Sequence, residues 1–347
     1  MVSILNDDFS ALNDFVNKGG YSKIFFLLDE NTHQYCLPIV LGNLETDIPF
    51  EIIEIEQGEE LKNIDTAIQI WEILAEFQAD RKSLLINLGG GVITDMGGFV
   101  ASTYKRGMDF INIPTTLLAM CDASIGGKTG IDHLYLKNII GTFAFPKEIF
   151  VYPEFLKTLP FVELRSGFAE MLKHGLIADI KHWEALSQIQ ELLPENIAPH
   201  IPVSMEIKQN IVKQDFTEKN IRKTLNFGHS VGHAIESLFL KEKQPIPHGE
   251  GVALGMIIET YLSYLEKLIP LPDAENIIGT IRQFYPYINI QLFENEAIKA
   301  VMMNDKKNNN GKLMLSLIDR KGHAIYDYQA QTSHIDDALR FYKNLNH

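Results

Sequence analysis

The chain has 347 residues, 46% apolar and 22% charged, enough for two ordinary domains and a mixture that argues against disorder. A formal net charge of −14 argues against nucleic acid or anionic membrane as partners, since both demand basic surface; a small anionic substrate stays open, because a local Lys/Arg cluster can outvote the global sign. The two cysteines, Cys36 and Cys121, supply neither a disulfide framework nor a cysteine zinc motif.

Met1 to Phe15 lacks a basic segment followed by an apolar one, so no signal peptide is expected. No uncharged apolar run is long enough to span a bilayer, and the expected location is the cytoplasm. Lys23–Leu28 reads as a buried strand, and Phe50–Ile55 as another. Ile64, Ala67, Ile68, Trp71, Leu74 and Phe77 recur at helical spacing. Ser83–Leu88 is a third strand, and Phe110–Ile113 and Ile149–Tyr152 are further short ones. Such alternation predicts a parallel sheet with helices on its faces. After Leu159-Pro160 the pattern turns helical: Glu163–Gly175, His200–Asp215, Thr224–Leu240, Val252–Leu265, Ala274–Phe284 and Asn295–Met303, with a hairpin at Leu313–Ile318 and His323–Tyr328. The boundary falls near residue 160, giving domains 1–160 and 161–347 and an expected active-site cleft between them.

Three segments carry chemistry. Gly89-Gly90-Gly91 ends a strand and opens a helix, where backbone N–H groups and the helix dipole favour a phosphate. The spacing is not a clean G-x-G-x-x-G, because Thr94 stands at the third glycine; the alternative is a tight turn with Gly97 and Gly98 for close packing. Gly126-Gly127-Lys128-Thr129 resembles the tail of a P-loop, but Asp122 occupies the position of its first glycine, so a nucleotide-hydrolase reading fails. Lys128, Lys137 and Asn138 still suit phosphate or carboxylate oxygens, against the alternative of a solvated loop. In the helical half, Glu170 and Lys173 are i, i+3, His229 and His233 are i, i+4, and His248 opens another helix. Two imidazoles and a carboxylate leave zinc an open position, which suits catalysis. Spacing does not say which two of the three histidines ligate, and Ser230 rules out the H-E-x-x-H peptidase motif.

In chain order, GGGVITDMGGFVASTYKRG, IPTTLLAMCDASIGGKTGIDHLYLKNIIG, LKTLP, GFAEMLKHGLI, TEKNIRKTLNFGHSVGHAIE, PHGEGVALGM and NDKKNNNGKL resemble the 3-dehydroquinate synthase family, from about Phe25 to Leu315. The resemblance implies an α/β N-terminal dinucleotide-binding, Rossmann-like domain and an all-α C-terminal metal-binding domain, in a homodimer. It implies conversion of 3-deoxy-arabino-heptulosonate 7-phosphate to 3-dehydroquinate and phosphate, in the shikimate route to aromatic amino acids. The steps are transient oxidation by NAD, phosphate elimination, re-reduction, ring opening and an intramolecular aldol.

By the same resemblance Glu170, His229 and His248 hold zinc or cobalt, and His233 is an acid/base residue in contact with substrate. Asp29, Asn31, Gln57, Gly58, Glu59, Glu60, Leu61, Lys62, Gly91, Val92, Ile93, Thr94, Asp95, Thr115, Thr116, Phe155, Leu156, Lys157 and Thr158 hold NAD, with Lys128 and Lys137 beside it. Substrate meets Asp122, Lys128, Lys137, Asn138, Lys173, Lys208, Arg222, Asn226 and Lys306; of these Lys128, Lys173, Lys208, Arg222 and Asn226, with His233 and Glu218, form the catalytic set; Arg106 is lent to the neighbouring subunit's phosphate pocket. Leu136 and Asp132 depart from a glycine and an asparagine common in the family. Three rivals stand beside this reading: a cyclase making 2-epi-5-epi-valiolone or deoxy-scyllo-inosose, a metal-dependent alcohol dehydrogenase, and a non-catalytic binding protein on the same scaffold.

Overall fold

A computed structural model describes residues 2–133, 136–303 and 313–346; Lys306 and the side chain of Leu136 lie outside the described residues. Contacts divide the chain into two units, Met1–Pro160 and Phe161–His347.

In the first unit the elements run β1 (Val2–Ile4), α1 (Ser10–Lys18), β2 (Ile24–Asp29), α2 (Glu30–Tyr35), α3 (Leu37–Asn43), β3 (Phe50–Ile55), α4 (Ile64–Glu76), β4 (Leu84–Gly89), α5 (Gly91–Thr103), β5 (Asp109–Pro114), β6 (Lys128–His133), β7 (Leu136–Phe143) and β8 (Ile149–Val151). Six strands pair in parallel in the order β1-β8-β5-β4-β2-β3. Two of the inner strands, β2 and β4, read IFFLLD and LLINLG because both faces are covered. Phe25, Leu27 and Leu85 meet Ile93, Met96 and Val100 of α5 in one core. The chain leaves β2 for β3 on one side and returns to β4 on the other, so the carboxyl ends of β2 and β4 frame the switch point where open α/β sheets take ligands.

The segment around Lys128, for which the alternative to anion binding is a solvated loop, forms β6 and β7, an antiparallel pair. Its glycines hid the strands: a Cβ at Gly141 would lie 2.1 Å from Thr129 O, so the two backbones meet only where side chains are missing. Gly97 also has a packing reason, since a Cβ there would fall 1.9 Å from Asn87 Oδ1 on β4.

The second unit holds α6 (Phe161–Ala178), α7 (Ile180–Ser187), α8 (Pro194–Ile197), α9 (Ile201–Gln214), α10 (His229–Lys241), α11 (His248–Leu265), α12 (Leu271–Phe284), α13 (Asn295–Met303), the antiparallel hairpin β9 (Leu315–Arg320) and β10 (His323–Tyr328), and α14 (Thr332–Lys343). The single helix expected over Thr224–Leu240 is instead a 3₁₀ turn, Ile221–Asn226, then Gly228 at φ 81°, then α10. The break is imposed by α11, whose Gly255 lies so near that a Cβ would sit 1.9 Å from Gly228 O. α7, α8 and α14 have no counterpart among the helices expected from the sequence. Among the described residues no helix is long and apolar enough to cross a membrane.

Candidate functional site

In the second unit, α6 is buried along most of its length and carries Glu170 at 0% exposure, which an isolated carboxylate does not tolerate. Its Oε1 lies 3.4 Å from His229 Nε2 and 3.6 Å from His248 Nε2, and Lys173 Nζ contacts Oε2. Neither oxygen has a hydrogen bond of good geometry among the described residues. His233 completes the group: ligating atoms of His229, His233 and His248 fall within 4.8 Å of one another.

Local structure explains why these side chains converge. α10 starts at His229 because the Glu259 carboxylate on α11 accepts the Gly228 N–H at 2.6 Å and the Val231 N–H at 3.1 Å, satisfying amides that a helix start leaves open. His229 and His233 then face one way, one turn apart. The start of α11 is fixed to α6, where Ser166 Oγ accepts the Gly249 N–H at 2.9 Å and Arg165 pairs with Glu250. Two of the three imidazoles, His229 and His248, are set from behind. His229 Nδ1 lies 3.2 Å from Phe227 O, and His248 Nδ1 lies 3.1 Å from Glu236 Oε1. The sequence reading gives Glu236 no role, although its position seven residues after His229, on the same helix face, points to the same site.

The electrostatics follow from burial and crowding. Burial pushes the His229 imidazole down to about 4, and the Lys173 ammonium adds to it. Burial works the same way on His248, but Glu236 and Glu170 outweigh it and push it up to about 10. Burial alone would raise the Glu170 carboxyl; Lys173 and His229 outweigh it and hold it well below the usual carboxylate range.

This donor set fits a divalent metal ion. Ligands at about 2.0–2.1 Å from a tetrahedral zinc stand roughly 3.3–3.4 Å from one another. The separations of 3.4 and 3.6 Å around Glu170 Oε1 are close to that edge and too long for strong hydrogen bonds.

The other expected residues of this unit are placed as follows. Lys173 and Lys208 are buried on α6 and α9. Arg222 is 2% exposed and donates from Nη1 to Phe216 O at 2.6 Å, while its N–H meets Asp215 Oδ2 at 3.1 Å. Asn226 Nδ2 donates to Glu218 Oε1 at 2.8 Å, so those two are brought together.

In the first unit, the expected NAD residues gather at the carboxyl ends of the strands. Asp29 ends β2 and caps α2 by accepting the Thr32 N–H at 2.8 Å, and Asn31 donates to Gln57 in the loop after β3. Gly91–Asp95 form the first turns of α5, and the Thr115 N–H reaches Gly89 O at 3.0 Å. Gly58, Glu59, Glu60 and Leu61 form the turn after β3 and lead to Lys62, which is buried and pairs with Asp95 Oδ2 at 2.6 Å. Thr94 is buried and Thr116 Oγ1 accepts the Ala119 N–H at 3.1 Å. Phe155 and Leu156 are buried in the core, so only their backbone is available to a ligand, whereas Lys157 and Thr158 are exposed. On β7, Lys137 Nζ lies 3.4 Å from Glu59 Oε1, and the Asn138 N–H donates to Asp132 Oδ1 at 2.7 Å. Asp132 thus fixes Asn138 at φ 51°, an acceptor role that the family's usual asparagine fills equally well. Asp122 is half-buried, and Lys128 and Arg106 are exposed.

Residues 52–166 match the family described as 3-dehydroquinate synthase N-terminal, and residues 167–308 match 3-dehydroquinate synthase C-terminal. A 3-dehydroquinate synthase from Parabacteroides distasonis is 39% identical over 99% of this chain and 97% of its own. One from Campylobacter concisus is 40% identical over 88% of this chain and 87% of its own. Among solved structures, a 2-deoxy-scyllo-inosose synthase complexed with carbaglucose-6-phosphate, NAD⁺ and Co²⁺ superposes with a TM-score of 0.85 at 21% identity, covering 98% of this chain and 96% of that one. A 2-epi-5-epi-valiolone synthase from Streptomyces hygroscopicus subsp. jinggangensis with NAD⁺ and Zn²⁺ bound gives 0.84 at 23% identity, covering 99% and 96%. The structural likenesses establish the fold, and the family matches and near relatives establish that the chain belongs to the 3-dehydroquinate synthase family.

Proposed function

We propose that this chain converts 3-deoxy-arabino-heptulosonate 7-phosphate to 3-dehydroquinate and phosphate, using NAD catalytically and one zinc or cobalt ion. The observation that carries the reading is the convergence of the half-buried His229 and His248 on the buried Glu170 carboxylate. When bound, the metal supplies Lewis acidity to a sugar oxygen and NAD supplies a reversible hydride acceptor.

The chain's own residues supply binding, orientation and proton traffic. Glu170, His229 and His248 are the metal ligands. His233, its ring 4.9 Å from that of His229, stands beside them as the group that carries a proton. Arg222 and Asn226 are oriented by Phe216 O and Glu218, so their donors are set before substrate arrives. With Lys173 and Lys208 they suit the substrate carboxylate and hydroxyls. Lys128, Lys137, Asn138 and Arg106 suit the phosphate, through charge-assisted hydrogen bonds. The cofactor belongs at the switch-point end of the sheet, bounded by Asp29, Gln57–Lys62, Gly91–Asp95 and Thr115-Thr116. The same reading makes the chain a cytoplasmic homodimer. In that dimer Arg106, exposed on the turn after α5, is the arginine lent to the neighbouring subunit's phosphate pocket.

Phosphate release from the heptulosonate phosphate tests the proposal. Turnover without net NADH, lost on chelation and restored by Zn²⁺ or Co²⁺, is expected. Stoichiometric NADH would make the chain a dehydrogenase. Equal turnover of sedoheptulose 7-phosphate, which lacks the carboxylate, would place it with the other cyclases.

A further inference from the structure

We infer that Glu236 is a positioning residue that acts through His248, and that Gly251 keeps the space its carboxylate needs. The inference rests on the metal-site reading above and concerns a residue that reading does not use. Glu236 lies on α10 three residues beyond His233 and seven beyond His229, so it shares their face. It is 9% exposed, and its Oε1 is 3.1 Å from His248 Nδ1. An ionised carboxylate only accepts, so Nδ1 carries the proton and donates it. That fixes the tautomer and turns Nε2, 3.6 Å from Glu170 Oε1, toward the shared centre as the nitrogen that meets a cation.

Gly251 lies on α11 three residues after His248 and faces the same carboxylate oxygen. A Cβ there would lie 2.5 Å from Glu236 Oε1 and 2.7 Å from its Cγ, so a side chain at 251 displaces the carboxylate from His248. The two imidazoles are therefore oriented unequally. His229 leans on a neutral backbone carbonyl, at 3.2 Å, and His248 on a negative charge, which raises its basicity as a ligand.

Co²⁺ titration of the full chain tests this, read by visible absorption and by competition with a chromophoric chelator, for the native sequence and for E236Q, E236A and G251A. A fall in Co²⁺ affinity of about 10- to 100-fold in E236A and G251A, with an altered absorption band, is expected. A smaller fall is expected in E236Q, which is isosteric and keeps an acceptor without the charge. G251A retains every donor atom, so its loss reports a displaced carboxylate and not a missing one. Unchanged affinity and spectrum in E236A and G251A would overturn the inference and leave the metal site standing. No Co²⁺ binding by the native chain, or undiminished binding by H229A, would overturn the metal-site reading itself.

Discussion

The Glu259 carboxylate accepts the Gly228 N–H at 2.6 Å, across the junction of two helices whose glycines let the backbones touch. With its second bond to the Val231 N–H, this buried side chain decides where α10 begins and hence where His229 and His233 point. Glu259→Ala leaves two buried amides unpaired, at about 1–3 kcal/mol each. Chemical denaturation should show a loss of a few kcal/mol, and metal affinity should fall with it. A variant of native stability would mean that the amides find other partners.

Lys62 and Asp95 form a 2.6 Å ion pair with side-chain exposures of 4% and 17%. Removing one member of a buried pair costs about 3–5 kcal/mol, because the other charge stays behind. Lys62→Met should therefore destabilise the chain near the lower end of that range, since Asp95 keeps some solvent. Lys62→Met combined with Asp95→Leu should recover part of the loss. A double variant as unstable as the sum would show that the pair does not interact.

Much of the sheet was legible from the sequence, because strands covered on both faces are plain apolar runs such as Ile24–Asp29 and Leu84–Gly89. β6 and β7 were not, since their glycines serve a backbone contact that only the partner strand reveals. The histidines and Glu170 stood out by residue type and helical spacing. The helix break at Gly228 depended on Glu259, thirty-one residues later, a non-local partner that no local pattern announces. Asp179 caps α7 by accepting the Lys181 and His182 N–H groups, a local start signal that could have been read.

Lys128 opens β6 and is exposed, and the proposed function assigns it to the substrate phosphate. Lys128→Ala should lower kcat/KM by about 10- to 100-fold, in line with a charge-assisted hydrogen bond of about 1.5–3 kcal/mol. Unchanged kinetics would make it an ordinary surface lysine.

His182 supplies a pH test away from the site. It is 3% exposed and its Nε2 lies 2.9 Å from Ser204 Oγ. Burial pushes its imidazole down to about 4, with His174 and His200 adding to it. The unfolded chain therefore takes up this proton first, and stability is lost as pH falls from about 6.5 toward 4. Between pH 7.5 and 5 the loss from this group is about 2 kcal/mol. His182→Gln should flatten that part of the stability profile. An identical profile in the variant would assign the dependence to other groups.

The central claim is that Glu170, His229 and His248 hold one divalent ion and His233 does not. Metal content per chain, measured after dialysis against Zn²⁺, tests it most directly. One zinc per chain is expected in the native protein and in His233→Ala, with turnover lost in the latter, and none in Glu170→Ala, His229→Ala or His248→Ala. Full zinc content in any of those three, or none in His233→Ala, would contradict the assignment.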